Sequence, residues 1–246
     1  PENIVVSCGG KHSLYNAFQV TLEHGDEVII PRPYWVSYVE QAKLSGGVPV
    51  ICEAEGFRIN ADLIEEKLSD KTKMVVLNSP NNPSGAVCGK SDLKRIADLI
   101  IGKGLLLISD EVYEHFVFGD NAHISIASLG DEISRRTITI NSVSKTYCMT
   151  GWRIGYLCAP KEMAKAIGDM QSHSTSNPTS IAQKAALEAL TGPQDSVKMM
   201  AEEFGRRGKL MQKRLNGIPG INCAEPQGAF YCFPSIEATG LGSAEF

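Results

Sequence analysis

Short apolar runs recur along the chain at Ile4–Val6, Val28–Ile30, Val48–Ile51, Met74–Leu77, Leu105–Ile108 and Thr137–Ile140. Each has the length of a buried strand. Helical spacings lie between several of them. Leu93, Ile96, Ala97 and Ile100 recur at i, i+3, i+4 and i+7, and so do Met163, Ala166, Ile167 and Met170. Ser13–Leu22 also reads as helical. This alternation predicts an α/β fold, a mostly parallel twisted sheet with helices on both faces. Pro49 inside its run points to an edge or bulged strand, because proline cannot donate to a central ladder. The segment Asp195–Leu215 is a long, charge-laced helical pattern weakened by Gly205 and Gly208. It runs into the turn-rich stretch Gly217–Gly220. The expected division is therefore residues 1–215 as one large domain that includes the linking helix. Residues 216–246 would begin a second domain and are too short to stand alone.

Composition narrows the class. At 43% hydrophobic and 21% charged residues the chain can bury a sizeable core. Its net charge of −4 argues against nucleic acid, which wants a basic face. No apolar run approaches membrane-spanning length, and no secretory signal is visible. The seven cysteines are scattered and odd in number, with no C-x-x-C pair. They read as reduced thiols of a cytosolic protein rather than a disulfide frame or zinc site. The five histidines have no metal-ligand spacing, so no metal is expected.

The chemistry is concentrated where the predicted strands end. After Thr137–Ile140 comes Ser142-Val-Ser-Lys-Thr-Tyr-Cys-Met-Thr-Gly-Trp-Arg153. A lysine beside a buried strand is costly unless it has a task, and burial favours its neutral, nucleophilic form. The hydroxyls of Ser142 and Ser144 with Arg153 form a candidate phosphate seat next to Lys145. A reactive amine beside a phosphate seat points to an aldehyde cofactor that carries a phosphate, pyridoxal 5'-phosphate. Asp110, after Leu105–Ile108, is the candidate carboxylate for a pyridine nitrogen, which keeps the ring protonated and electron-withdrawing. Tyr113 could hydrogen-bond the ring's 3'-oxygen. The loop Asn78–Gly85 is dense in Asn, Pro and Gly and places side-chain amides, although such residues also make ordinary turns. Cys8-Gly9-Gly10-Lys11 between a strand and a helix is a general anion site.

Taken together, Gly9-Gly10-Lys11, Pro33–Tyr38, Asn78–Gly85, Ser109–Tyr113 and Ser142–Gly155 give five motifs in one order. In these the chain resembles the class I aminotransferases of pyridoxal-phosphate fold type I, most closely the bacterial aspartate aminotransferases. The resemblance covers essentially the whole chain. It implies the large domain of that fold, with the small domain largely missing. It implies that Lys145 forms the Schiff base, that Asp110 pairs with the pyridine nitrogen, and that Asn82 and Tyr113 bind the 3'-oxygen. Trp35 would stack on the ring, and Gly10, Lys11, Ser142 and Arg153 would hold the phosphate. Lys145, Asp110 and Tyr113 would carry the catalysis. Cys148 departs mildly from the family, which usually has another small residue there; cysteine packs as a small hydrophobe.

The implied activity is transfer of an amino group between an amino acid, with aspartate favoured, and a 2-oxo acid, in the cytoplasm, by a homodimer. The same motifs serve other pyridoxal-phosphate reactions on this fold, lyases and ring-forming synthases. They would also serve a cofactor-binding module without turnover. Chains of the family extend beyond both ends of this one. Upstream they supply an N-terminal arm and a tyrosine that reaches the partner's cofactor phosphate. Downstream they supply the arginine that clamps the substrate's α-carboxylate. The expectation is a cofactor-binding large domain of a longer aminotransferase, with little turnover of its own.

Overall fold

In the computed structural model residues 1–246 are described, the side chain of Glu55 excepted. Seven strands form one sheet: β1 (Ile4–Ser7), β2 (Glu27–Arg32), β3 (Val48–Glu53), β4 (Thr72–Asn78), β5 (Leu106–Asp110), β6 (Thr137–Ser142) and β7 (Gly155–Cys158). Their spatial order is β1-β7-β6-β5-β4-β2-β3. The pairs from β3 through β6 are parallel, and β7 runs antiparallel to both of its neighbours. A small hairpin of β8 (Asn222–Cys223) and β9 (Pro234–Ser235) follows. The helices are α1 (Gly10–Thr21), α2 (Ser37–Leu44), α3 (Ala61–Glu65), α4 (Lys90–Lys103), α5 (Asp131–Ser134), α6 (Val143–Thr146), α7 (Lys161–Ser172), α8 (Ser180–Thr191) and α9 (Asp195–Leu215). No described helix is long and apolar enough to cross a membrane.

The expected two-faced sheet is present, and the alternation of side chains along each strand produces it. Val28, Ile30, Met74, Val76, Ile108, Ile138 and Ile140 point to the face covered by α1, α2 and α7. Ile29, Val75, Leu77 and Leu107 point to the opposite face, where α3, α4 and α5 pack. Each such side chain, fully buried, stabilises the fold by about 1.5–3 kcal/mol relative to exposure. Pro49 lies on β3, which is an edge strand, as its missing N–H requires.

Three details depart from the sequence expectation. The strand β7 follows immediately on Arg153–Ile154 and is too short for a hydrophobic pattern to reveal it. The buried stripe of α7 runs through Ala164, Ile167 and Gln171, while Ala166 is exposed. Gln171 is buried because its amide is satisfied on both sides, donating to Val6 O at 2.7 Å and accepting from Asn16 Nδ2 at 3.1 Å. Finally, the glycines of α9 mark close approach. A Cβ on Gly205 would stand 3.2 Å from the Phe118 ring, and one on Gly208 3.1 Å from Pro226. Helix propensity there yields to packing.

Candidate active site

The carboxyl ends of β1, β4, β5 and β6 open on one rim, where an open α/β sheet binds its ligands. β7 brings its amino end to the same rim. Gly155 stands opposite both Ser7 on β1 and Ser142 on β6. Arg153, two residues before it, is thus delivered between the start of α1 and the end of β6. The cleft so formed has a volume of about 320 Å³, and all nine candidate site residues line it.

Asp110 is the last residue of β5 and is buried. Strand alternation sends it into the cleft and sends Glu111 the other way, where Glu111 meets Ser109, Ser125 and His123. Tyr38, reached from α2, donates to Asp110 Oδ2 at 2.6 Å, and Val112 N–H donates to Oδ1 at 3.3 Å. Burial pushes the Asp110 carboxyl up to about 6, against the hydrogen bond from Tyr38 that pulls it down. A carboxyl strained in this way gains from a cationic N–H partner, as a protonated pyridine is.

The loop after β4 is fixed by amides. Asn78 Nδ2 donates to Asp110 O at 3.0 Å and to Pro80 O at 3.2 Å, and Asn78 Oδ1 accepts from Asn82 N–H at 2.7 Å. Asn78 therefore couples the ends of β4 and β5 and sets Asn82 at the cleft. Tyr113 is buried, and its hydroxyl meets that of Tyr231 at 2.5 Å. Burial raises the Tyr113 phenol far above its ordinary range.

Lys145 sits on the single turn α6 and is half-buried, unlike Val143, Ser144 and Thr146 around it. Its amine reaches into the cleft and stands 5.6 Å from the centre of the Phe230 ring. The expected burial applies to its neighbours; the amine itself is accessible to a ligand. Lys11 Nζ lies 4.8 Å over the Trp35 ring, and Trp35 packs edge-on against Tyr38 at 5.5 Å. The ammonium of Lys11 is thus held on the Trp35 wall, while its backbone N–H belongs to the first turn of α1.

The anion seat is built from absences of side chains. Gly9 caps α1 and contributes no side-chain hydrogen bond, so the N–H groups of Gly10 and Lys11 are left to a ligand, while that of His12 donates to Gly9 O at 2.9 Å. Gly9 has φ +95°, and a Cβ there would collide with the Arg153 guanidinium. A Cβ on Gly155 would collide with the backbone of Gly9 and Gly10. Arg153 donates to Thr150 O at 2.8 Å, which fixes its fork. Ser142 Oγ caps α6 by accepting from Ser144 N–H at 3.0 Å, and it lies 2.9 Å from Ile154 O and 2.7 Å from Ser144 Oγ. Its one hydrogen is engaged within the fold, so an incoming phosphate oxygen must recruit it from those partners. An uncapped helix start, a fixed guanidinium and two hydroxyls suit a phosphate dianion.

Sequence reasoning missed Tyr38, Asn78, Thr150 and Tyr231, which also line the cleft. Tyr38 and Asn78 stand inside two of the five motifs, and the polar type of Asn78 at the end of a strand was an available signal. Tyr231 lies 86 positions beyond Lys145 and only packing brings it in.

A family model described as "Aminotransferase class I and II" matches residues 1–245. The chain is 48% identical over 238 residues to an aspartate aminotransferase of Geobacillus stearothermophilus, covering 96% of this chain and 61% of that protein. It is 46% identical to a probable aspartate/prephenate aminotransferase of Aquifex aeolicus, covering 97% and 62%. Among solved structures, the aspartate aminotransferase of Rhizobium meliloti superposes with a TM-score of 0.93 at 41% identity, covering 96% of this chain and 60% of that one. An aromatic aminotransferase of Pyrococcus horikoshii gives 0.94 at 42% identity, covering 97% and 65%. The chain spans about three fifths of the length of the curated relatives it matches.

Proposed function

This chain belongs to the class I and II aminotransferases, and on that premise we propose that its cleft holds pyridoxal 5'-phosphate for transfer of an amino group between aspartate and a 2-oxo acid. The observation that supports it most is the meeting in one cleft of an accessible amine, a buried carboxyl and an uncapped helix start with a guanidinium. Bound there, the cofactor supplies an aldehyde that condenses with amines and a protonated ring that draws electrons from the substrate's Cα. Lys145 Nζ is the amine that would hold the cofactor's aldehyde carbon, and when free it would take and return a proton at the substrate's Cα. Asp110 holds the proton on the pyridine nitrogen. Asn82 and Tyr113 would donate to the ring's 3'-oxygen, and Trp35 would cover one ring face. The first-turn N–H groups of Gly10 and Lys11, with Ser142 and Arg153, would anchor the phosphate and keep the ring in place while performing no chemistry themselves.

In this proposal residues 1–215 form the cofactor-binding domain and 216–246 begin a second one. The protein works in the cytoplasm as a homodimer. Reconstitution with pyridoxal phosphate followed by borohydride should fix the cofactor to the peptide that carries Lys145. Lys145→Ala should abolish that label. A label on another lysine would overturn the assignment. A protein that carries this chain and has the full length of the relatives it matches should then interconvert aspartate and 2-oxoglutarate with their partner acids, and failure to do so would overturn the substrate.

A further inference from the structure

Tyr231 comes from a segment that has no place in the five sequence motifs, yet it is built into the cleft. Residues Gln227–Ala229 are stitched to the loops that follow β4 and β5. Gln227 N–H and Gly228 N–H both donate to Gly85 O, at 3.0 and 2.8 Å. Phe118 N–H donates to Gln227 O, Ala229 N–H donates to Phe116 O, and Val87 N–H donates to the Gln227 side chain. A Cβ on Gly228 would lie 2.7 Å from Phe116 O, so the strap lies directly on the β5 loop. Buried Ala229 then turns the chain at φ 58° and sets the next two rings on Tyr113. Phe230 packs edge-on at 5.2 Å and Tyr231 edge-on at 5.6 Å, with the two hydroxyls 2.5 Å apart.

We propose that Tyr231 is a positioning residue for the cofactor's 3'-oxygen, acting through Tyr113; this rests on the cofactor reading above. Each phenol has one hydrogen. Between two neutral phenols either oxygen can donate. A negatively charged ring oxygen in the cleft settles the direction, because a charge-assisted bond is roughly twice as strong as a neutral one. Tyr113 then turns its hydrogen to the ligand. Its oxygen then accepts from Tyr231, whose hydroxyl already stands 2.5 Å away. The relay runs from Tyr231 to Tyr113 to the ring oxygen, and each bond polarises the next. The other ionisable groups near this pair are Tyr38 and Asp110 from α2 and β5, with Lys145 from α6; the Asn82 amide acts on the same Tyr113 phenol.

The test is spectroscopic. In the cofactor-loaded protein the proton shared between the Lys145 linkage and the ring oxygen gives a pH-dependent absorbance. Donors to the ring oxygen lower its hold on that proton. Tyr231→Phe keeps the ring packing and removes one hydroxyl, so the midpoint should move upward by about 0.7 unit, a roughly fivefold change. In a Tyr113→Phe background the same change should move it no further. An unchanged midpoint in Tyr231→Phe, or an equal shift in both backgrounds, overturns the relay even if Tyr231→Phe is less stable. Should the unmutated protein take no borohydride-fixed cofactor at Lys145, the cofactor reading itself falls and takes the relay with it. Should Tyr231→Phe fail to fold, Tyr231→Leu, which has no donor for Tyr113, gives the same comparison.

Discussion

Tyr38 donates to Asp110 across 2.6 Å in a place where both side chains are buried. The bond favours the ionised carboxyl, and burial opposes it and wins, leaving Asp110 at about 6 against an ordinary 3.8. In the cofactor-free protein the folded state therefore holds a proton that the unfolded chain has already released. Stability associated with it is present below the ordinary value and is lost as pH rises through about 6. The loss is on the order of 3 kcal/mol for a shift of this size. Urea unfolding from pH 4 to 7 should show this fall relative to Asp110→Asn, which has no charge to bury. Parallel curves for the two proteins would show that Asp110 is not the group responsible.

Removing the donor acts on the same titration from the other side. Tyr38→Phe should move the Asp110 window upward, because burial and the Glu111 charge are then opposed only by the weaker Val112 N–H hydrogen bond. Above that window the variant should lose about 1.5–3 kcal/mol, the worth of a hydrogen bond to a charged group. The pH dependence of unfolding measures both. Loss of stability without movement of the window would mean that Tyr38 serves packing alone.

Gly9 and Arg153 occupy each other's space. Gly9→Ala should destabilise by about 1–3 kcal/mol through its positive φ, with the collision added, and should shorten cofactor retention on dialysis. Arg153→Ala should relieve the collision, so the double variant should be more stable than the sum of the two predicts. Cofactor retention should stay poor in both backgrounds, because Arg153 is absent or displaced. Strict additivity in thermal unfolding would show that the guanidinium does not press on Gly9.

Two helical glycines should respond in opposite ways. Gly102 in α4 has open space where a Cβ would go, so Gly102→Ala should stabilise by about 1 kcal/mol. Gly205 in α9 faces Phe118 at 3.2 Å, and Gly205→Ala should gain nothing or lose. Thermal unfolding of the two variants decides it; equal stabilisation would mean that α9 moves freely away from Phe118.

The fold was legible where a single physical rule governed a segment. Val28–Ile30 and Met74–Leu77 are strands because they are buried on both faces, and Pro49 marks an edge because it lacks a donor. The site was legible where motif residues end those strands, as Asp110 and Ser142 do. Four features were not. The four-residue β7 carries too little pattern of its own. Ala166 has the spacing of a buried residue, but Ala164 takes its place because Gln171 finds two partners inside. Gly205 and Gly208 look like helix defects until Phe118 and Pro226 are seen beside them. Tyr231 enters through the turn at Ala229, which local sequence does not announce.

Gly155 faces Ser7 on one side and Ser142 on the other, so β7 serves as a ruler between two otherwise separate strand ends. A slip of one residue along it would displace Arg153 by about 3.3 Å and turn each β7 side chain to the opposite face. Length changes should therefore be tolerated unevenly along this chain. Extra residues in the exposed turn at Gly119–Asn121 alter no register. An extra residue between Ile154 and Leu157 would leave every nearby apolar contact to be remade and would misplace the guanidinium by more than a hydrogen bond can span.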